Sequence, residues 1–355
     1  MQIGLAPEMK ILLDQAIEKK ASDLHLTVGI PPMLRIDGNL IAVAGQPPLT
    51  GEIAMQIIQS FMTEDQKERL KVRKELDFSF GYQNMRFRTN VYFQKGHIAC
   101  SLRLIPKLIK NFNELGLPPL FEKFTSANQG FVVITGPTGH GKSTTLAAMI
   151  NHINHTRSEH IVTIEDPIEY VFEHDKSIIS QREVGTDTNS FARALRSSLR
   201  EDPNVILIGE MRDLETIEAA LTLSETGHLV FATLHTNSAA QTADRIIDVF
   251  PPHQQQQVSM QLANVLLGVV SQRFIPKIQG GRVVACEIMV ANSAVRNTIR
   301  ERKTHQLNNI IQTSASEGMI AMDKVLAELV SKGDITIDNA LTWALDPKAF
   351  KMMVY

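Results

Sequence analysis

The apolar positions in the first hundred residues of the chain change repeatedly between two spacings. Leu12, Leu13, Ala16 and Ile17 recur at intervals of three and four residues, which is typical of an amphipathic helix. Elsewhere polar and apolar residues alternate, which favours strands that are buried on one face. The order of these segments predicts a small α+β domain with an antiparallel sheet over residues 1–108. The predicted helices cover 9–20, 53–61 and 64–70, and the predicted strands cover 23–27, 34–36 (before a turn at Asp37 and Gly38), 78–80, 85–93 and 97–105.

A break in the pattern follows this first region. Pro106 ends the last predicted strand, and positions 107–119 contain two asparagines, a glycine and two further prolines. These residue types favour turns and loops over regular elements. Residues 109–119 are therefore predicted to be a linker between two domains.

Beyond the linker, apolar strands alternate with helical segments. Strands that are apolar on both faces and alternate with helices indicate a parallel sheet that is covered on both sides. Residues 120–355 are therefore predicted to form an α/β domain, and the chain after Pro251 is predicted to be mainly helical. The apolar runs cover 131–135, 160–164, 204–208 and 228–233, and a glycine-rich loop after the first of them leads into a predicted helix over 142–154.

Composition and charge exclude several classes of protein and site, but they do not identify a function. With 43% hydrophobic residues, 21% charged residues and a net charge of −2, the chain has no general attraction for nucleic acid or anionic lipid. Two cysteines exclude a disulfide scaffold and a four-cysteine zinc site, and they favour a reducing compartment. The N-terminus lacks the pattern of a signal peptide, and no apolar run reaches the ~18 residues that span a bilayer. We therefore expect no transmembrane segment.

The glycine-rich loop carries the strongest chemical signal in the sequence. Residues 136–143 fit the pattern GxxxxGK[ST], with an apolar strand before them and a helix after them, which is the context of a phosphate-binding loop. Backbone N–H groups of such a loop point at phosphate oxygens, and the helix start adds partial positive charge. Lys142 is expected to reach the β- and γ-phosphates of a nucleotide, and Ser143 to ligate Mg²⁺. The predicted nucleotide-binding residues are Gly136, Pro137, Thr138, Gly139, His140, Gly141, Lys142, Ser143 and Thr144.

Acidic residues follow two of the other apolar strands. Glu210 comes after the run 204–208, and Glu165 and Asp166 come after the run 160–164. Because ligands of parallel sheets bind at the carboxyl ends of the strands, Glu210 is suited to activating an attacking water. Glu165 could contact Mg²⁺ directly or through water, whereas Asp166 could instead cap the turn that follows. From spacing alone, a metal site and a structural role for this pair remain equally open.

Histidines and arginines complete the set of candidates, and their spacing leaves functional and structural roles open. His228 and His235 flank one apolar strand, where an imidazole could donate to a γ-phosphate or serve the fold alone. Arginines supply charge in phosphoryl transfer, often from a neighbouring subunit, although solvated surface charge is the alternative interpretation. The candidate arginines form two clusters, Arg86, Arg88 and Arg103 in the first domain and Arg193, Arg196 and Arg200 before the strand that leads to Glu210.

Taken together, these motifs resemble the type II/IV secretion ATPases, and within that family the ATPases that retract pili. Glu165 and Asp166 resemble the family's Asp box, Gly209 with Glu210 resembles its atypical Walker B motif, and the two histidines resemble its His box. Segment 294–301 is similar to the family signature AIRNLIRE, from which Val295 and Thr298 depart. The resemblance covers nearly the full length, and it rests on 22–26, 209–216, 226–228, 233–237 and 294–301.

The resemblance implies a specific architecture and mode of action. We expect a PAS-like N-terminal α+β domain, a RecA-like P-loop ATPase domain, and a homohexamer with ATP and Mg²⁺ bound at its interfaces. Such an ATPase works in the cytoplasm at the inner membrane, on the pilus platform protein of the pilus machinery, without binding nucleic acid. The implied catalytic residues are Glu210 as general base, Glu165 on Mg²⁺, Arg88 and Arg103 from the small domain, and His228 and His235, with Arg196 and Arg200 as a second arginine pair.

Four alternatives share parts of this pattern. An assembly ATPase for pilus extension or type II secretion has the same boxes, but it usually carries an additional N-terminal domain and a four-cysteine metal site. Neither of these two features distinguishes a retraction-accessory paralogue from this sequence. A nucleic-acid translocase would call for a basic, aromatic-rich stripe, and a scaffold without turnover would not need Lys142, Ser143 and Glu210 together.

Overall fold

The structure, a computed structural model, describes residues 4–36, 38–83, 85–105 and 108–354. Asp37 of the predicted turn and Pro106 and Lys107 at the predicted strand end lie outside these residues. The chain forms two compact units, the first from 1–108 with 167–171 and the second from 109–166 with 172–355. The sequence pattern does not indicate that residues 167–171 belong to the first unit.

In its described residues, the first unit consists of a six-stranded antiparallel sheet and three helices. The strand order is β3-β2-β1-β6-β5-β4, so two three-stranded meanders, β1 to β3 and β4 to β6, meet where β1 pairs with β6. Helix α3 begins with a capping box between Thr63 and Gln66. The elements are α1 (Pro7–Glu18), β1 (Asp23–Leu26), β2 (Met33–Ile36), β3 (Asn39–Ala42), α2 (Gly51–Gln59), α3 (Glu64–Arg73), β4 (Glu75–Tyr82), β5 (Met85–Gln94) and β6 (His97–Ile105). The predicted helices and strands of this region are therefore present, and β3 is an additional strand.

One face of this sheet is apolar and the other is polar. Leu24, Phe87 and Leu102 are buried together with residues of the three helices in a single core. Because side chains alternate across a strand, Asp23, Arg88 and Arg103 must point to the opposite face. The alternation that predicted half-buried strands thus also produces a row of charged residues on the second face.

Residues 109–119, which were predicted to be a linker, contain a short helix and pack on the second unit. Helix α4 (Phe112–Leu115) has a capping box between Asn111 and Glu114. Phe112 and Leu117 are buried in a core cluster that also contains strand residues of the second unit. The segment is rich in turn-forming residues, but the burial of these two apolar side chains stabilises its contact with the second unit.

The second unit contains a seven-stranded sheet with helices on both faces. Strands β12, β7, β11, β10, β8 and β9 lie parallel in this order, and β13 closes one edge in the antiparallel direction. Its elements up to residue 265 are α5 (Leu120–Thr125), β7 (Gly130–Thr135), α6 (Lys142–Thr156), β8 (His160–Glu165), β9 (Ile178–Glu183), α7 (Phe191–Ser198), β10 (Val205–Ile208), α8 (Leu214–Glu225), β11 (Leu229–Leu234), α9 (Ala239–Asp248) and α10 (Pro252–Val265). They are followed by β12 (Leu266–Pro276), β13 (Arg282–Val290), α11 (Ser293–Arg300), α12 (Leu307–Thr313), α13 (Met322–Ser331), α14 (Ile337–Trp343) and α15 (Pro347–Val354).

The central strands are buried on both faces, as their continuous apolar runs predict. In β7, Phe131 and Val133 belong to one core cluster, whereas Val132 and Ile134 belong to the cluster on the other side. All six residues of β7 and of β11 are buried. The predicted parallel α/β sheet is therefore confirmed.

The prediction of a mainly helical chain after Pro251 is wrong for residues 266–290. Strand β12 pairs with β7, and β13 pairs with β12 across nine registered positions. An apolar run that is buried on both faces lacks alternation, so its period does not separate a strand from a buried helix. Gly280 and Gly281, both at positive φ between the two strands, are the turn signal that sequence reasoning missed.

The chain from Ser293 onward is helical, as predicted. Apolar residues of α13, α14 and α15 form a fourth core cluster with Ile275 of β12 and Ala285 of β13. Within the described ranges, no helix is both long enough and apolar enough to cross a membrane.

Candidate active site

The predicted phosphate-binding loop joins the carboxyl end of β7 to the start of α6. Lys142, Ser143 and Thr144 form the first turn of α6, which begins without a side-chain cap on its N–H groups. The side chain of Lys142 is buried, and its Nζ donates to the carbonyl oxygens of Gly136 at 2.8 Å and Pro137 at 3.0 Å. The loop thus combines a buried ammonium with the positive end of a helix. This donor set fits a phosphate group.

The parallel register brings the ends of four strands to the same edge as this loop. Ile208 of β10 is level with Ala232 of β11 and Ile164 of β8, and Thr135 of β7 is level with Leu234 of β11. The residues that follow these positions must therefore share one edge of the sheet. They are the loop 136–143, Glu165, Glu210 and His235.

Contacts between side chains connect Glu210 to the phosphate loop. Its Oε1 lies 3.1 Å from Nε2 of His235, and Nδ1 of His235 lies 3.5 Å from Nζ of Lys142. The other oxygen, Oε2, accepts a hydrogen bond of 2.7 Å from Nη2 of Arg212. The structure therefore brings the predicted base, one predicted histidine and the loop lysine together. Arg212 is a member that sequence reasoning missed, although its place two residues after Glu210 was a signal.

The charges of these neighbours set the protonation of the pair. Burial raises the pKa of Glu210, but the hydrogen bond from Arg212 and the charges of His235, Arg212 and Lys142 outweigh it, so this pKa is lowered. Burial, assisted by the charge of Lys142, lowers the pKa of His235 against the opposing effect of Glu210. At neutral pH, Glu210 is therefore an ionised acceptor and His235 is mostly neutral.

Glu165 is the last residue of β8 and lies beside β10 at the same edge. Its Oε1 accepts from Thr163 Oγ1 at 2.7 Å and from Gln181 Nε2 at 3.4 Å. Among the residues that the structure describes, no group of three or more His, Cys, Asp or Glu side chains forms a cation site. A carboxylate and the hydroxyl of Ser143 are oxygen ligands of the kind that Mg²⁺ takes, with the remaining positions left to water and phosphate. The residues present therefore fit this cation.

His228, in contrast, lies at the opposite edge of the sheet. It precedes β11, its carbonyl accepts from Gly130 at the start of β7, and its Nδ1 contacts the carbonyl oxygen of Leu223 at 2.9 Å. A strand of six residues separates it from His235, which corresponds to ~20 Å. Within one chain the structure does not bring His228 to the phosphate loop, so a role for this histidine at the γ-phosphate stays a prediction.

Arg196 contacts the first turn of the helix that follows Glu210, whereas Arg200 lies towards the other edge of the sheet. Both are exposed, and Arg196 Nη2 is 3.7 Å from Oε2 of Glu215. Arg200 lies just beyond α7, next to Glu201, whose carbonyl contacts His160 at the start of β8. The end of this helix is therefore at the edge of the sheet that is opposite to the phosphate loop.

Arg88 and Arg103 are cross-strand neighbours in the first unit. They are directly opposite each other on β5 and β6, so both side chains lie on the polar face of that sheet. Arg103 Nε donates to Oδ1 of Asp23 at 2.9 Å, and Arg88 Nη1 lies 3.3 Å from Oε1 of Glu169. Arg86, two residues before Arg88, donates to Ser79. The structure thus places the predicted pair side by side, each with a carboxylate partner.

Comparison with known proteins assigns a family to this arrangement. Residues 4–280 match the family described as Type II/IV secretion system protein. The chain belongs to this family. It is 48% identical over 340 residues to the type IV pilus retraction ATPase PilT of Pseudomonas aeruginosa, covering 96% of this chain and 98% of that relative. The resemblance predicted from the motifs is therefore confirmed.

Two further similarities extend the comparison. The chain is 48% identical over 311 residues to a twitching motility protein of Neisseria gonorrhoeae, covering 87% of this chain and 83% of that protein. It is also similar to the crystal structure of the pilus retraction motor PilT with bound ADP, with a TM-score of 0.91 and 49% identity over 97% of this chain and 98% of that one. The α/β fold class is thus shared with a member of the family in structure as well as in sequence.

The coupling between Glu210 and His235 predicts a measurable pKa change in this family member. Replacing Glu210 by glutamine removes the carboxylate that stabilises the imidazolium, so the pKa of His235 should fall further below its ordinary value. The titration of the His235 ring protons by NMR, assigned with His235→Gln, measures this. Glu218→Gln removes an exposed carboxylate on α8 and serves as the control, which should leave the titration unchanged. A rise in the pKa of His235 would contradict the arrangement.

Proposed function

We propose that this chain is an ATP-hydrolysing motor that powers the retraction of type IV pili. The observation that carries the proposal is the set of contacts from Lys142 of the phosphate loop through His235 to Glu210. These contacts join a phosphate-binding element to an ionised carboxylate, which are two of the parts that hydrolysis of a nucleoside triphosphate requires. The similarity to retraction ATPases over nearly the whole of both chains supports pilus retraction as the work performed.

In the proposed reaction, each residue at the strand ends has a distinct task. Lys142 and the N–H groups of the loop hold the phosphates, while Glu210 orients the attacking water and accepts its proton. Arg212 and His235 hold the two oxygens of Glu210, so that the carboxylate is fixed before substrate arrives. Ser143 and Glu165 would hold Mg²⁺, which supplies charge neutralisation on the phosphate oxygens.

We further propose that the chain acts as a homohexamer in which arginines complete the sites. Arg88 and Arg103 would contact the γ-phosphate, and Arg196 and Arg200 would add a second pair of positive charges, as the family resemblance implies. The side chains of Arg88 and Glu169 are 40% and 39% exposed, so their ion pair contributes little free energy, and exchanging this carboxylate for a phosphate is energetically inexpensive. The Asp23 partner of Arg103 is 7% exposed and also lies 3.7 Å from Arg35, which would still pair with it if Arg103 moved to a phosphate.

The proposed partners are the inner-membrane platform protein and the other components of the pilus machinery. Segment 294–301, which resembles the retraction signature, forms most of α11. Arg296 in this helix donates to the carbonyl oxygens of Ala263, Asn264 and Leu266, so it joins α11 to the end of α10. Arg300 of the same signature is exposed and remains accessible to a partner. This division supports a signature that has both an internal and an external contact. The family resemblance implies that the motor acts from the cytoplasm at the inner membrane.

The catalytic role of Glu210 predicts a separation of binding from turnover. Glu210→Gln keeps the size of the side chain but removes the base, so kcat for ATP should fall by roughly 10²- to 10⁴-fold while ADP binding is retained. Steady-state phosphate release and calorimetric titration with Mg·ADP measure the two effects. Glu218→Gln should match the parent protein in both. Turnover of Glu210→Gln at the parent rate would show that the base is a different group.

Sharing of sites between subunits predicts rescue in mixed oligomers. Arg88→Ala and Glu210→Gln should each be inactive alone, because each removes one part of every site. If Arg88 acts on a neighbour, random mixing in a ring restores about a quarter of the sites, and turnover should reappear on mixing. The double variant mixed with either single variant is the control that should stay inactive. If mass spectrometry shows that the rings contain both variants and turnover is still not restored, the sharing of sites between subunits would be contradicted.

Retraction predicts a specific phenotype in cells. Deletion of the gene should leave pili that extend but do not withdraw, because only disassembly loses its motor. The parent gene should restore withdrawal, whereas Glu210→Gln should not. Fluorescently labelled pili make both steps visible in single cells. Cells without pili would instead support an assembly motor, and cells that merely retract with less force would support an accessory paralogue.

A further inference from the structure

The side of the phosphate loop that faces β12 is held by residues that the sequence motif does not include. Because β12 pairs with β7 and extends beyond its end, Gln272 and Phe274 lie beside the loop that follows Thr135. A Cβ atom at Gly136 would come within 2.4 Å of the carbonyl oxygen of Gln272, and one at Gly141 would come within 2.6 Å of the Phe274 ring. Two glycines of the motif are therefore required by the approach of β12, in addition to their positive φ.

The side chain of Gln272 bridges the loop to the helix that follows it. This residue is 2% exposed. Its Nε2 donates to the carbonyl oxygen of His140 at 2.8 Å, and its Oε1 accepts from Oγ1 of Thr145 at 2.8 Å. The His140 carbonyl can only accept, so it fixes the orientation of the amide, and the Thr145 hydroxyl donates to the amide oxygen that this orientation presents.

The bond to His140 has a consequence for the next peptide N–H. In a trans peptide, the C=O and the following N–H point in opposite directions. Since Gln272 holds the His140 carbonyl towards β12, the N–H of Gly141 must point to the opposite face of the loop. The ring of His140 strengthens this arrangement, since its Nδ1 accepts from the Phe274 N–H at 2.9 Å and its edge packs on Trp343.

We propose that Gln272 is a positioning residue for phosphate binding, which aims the Gly141 N–H at the nucleotide by holding the His140 carbonyl. The inference rests on the proposed ATPase function and deepens it. Gln272 lies on the far side of the loop, so its effect is transmitted through the peptide plane. A loop without this constraint would have to order its 140–141 peptide during binding, which reduces affinity for the substrate and for the product alike.

The test replaces the amide by an apolar side chain of similar size. Gln272→Leu should weaken Mg·ADP binding by about tenfold, the effect of one or two net hydrogen bonds. It should raise KM for ATP by a similar factor with kcat nearly unchanged, because uniform binding is lost and the Glu210 chemistry is retained. Thr145→Val is the second variant, since it removes only the hydroxyl that donates to the amide oxygen of Gln272. It should weaken binding too, and the double variant should bind no more weakly than Gln272→Leu alone.

A matched control separates positioning from a loss of stability. Val270→Ala truncates a fully buried residue two positions earlier on β12, so it should lower the thermal midpoint while leaving Mg·ADP affinity unchanged. Gln272→Leu with parent affinity and parent KM would overturn the inference while leaving the ATPase proposal intact. Additive effects of Thr145→Val and Gln272→Leu would also overturn it. A parent protein that neither binds Mg·ADP nor hydrolyses ATP would overturn both proposals.

Discussion

The alignment of parallel strand ends is the constraint on which the candidate site depends. Ile164, Ile208 and Ala232 are level with one another in three neighbouring strands. Their registration is fixed by backbone hydrogen bonds inside a sheet that is buried on both faces, where no water can replace a lost bond. The residues that follow these strands therefore cannot separate. Lys142, His235 and Glu210 come within contact distance because apolar side chains elsewhere in the strands bury the sheet.

This dependence also explains how much could be predicted from the sequence. The phosphate loop and Glu210 were predictable because each is a short motif attached to an apolar strand, and strand ends in parallel sheets share an edge. The same rule, applied strictly, separates His228 from His235, since residues at the two ends of one strand lie at opposite edges. The motif grouped them by residue type, whereas the register separates them. Within one chain, the register decides which of the two meets the loop.

The contacts that escaped sequence reasoning are those that span long distances along the chain. Gln272 meets His140 across 132 positions, and it could not be recognised while residues 266–290 were expected to be helical. A wrong element type thus concealed a neighbour of the phosphate loop. Arg212 was missed for another reason. A single arginine on a loop is not part of a periodic pattern, and only its place two residues after Glu210 could have indicated its role. In the first unit, the ion pair of Arg103 with Asp23 follows from pairing of β1 with β6, which the alternation of residues does not specify.

The position of β12 in the chain has a consequence for protein synthesis. Strand β7, the loop and α6 leave the ribosome well before β12, which is the element that fills the space behind Gly136 and Gly141. Until β12 is added, the 140–141 peptide has no partner on that side, and the edge of β7 is open to water. A nascent or truncated chain that ends before residue 266 should therefore contain the complete motif but not its final shape. On this basis, we expect the chain to become able to hold nucleotide late in translation, once β12 has joined the sheet.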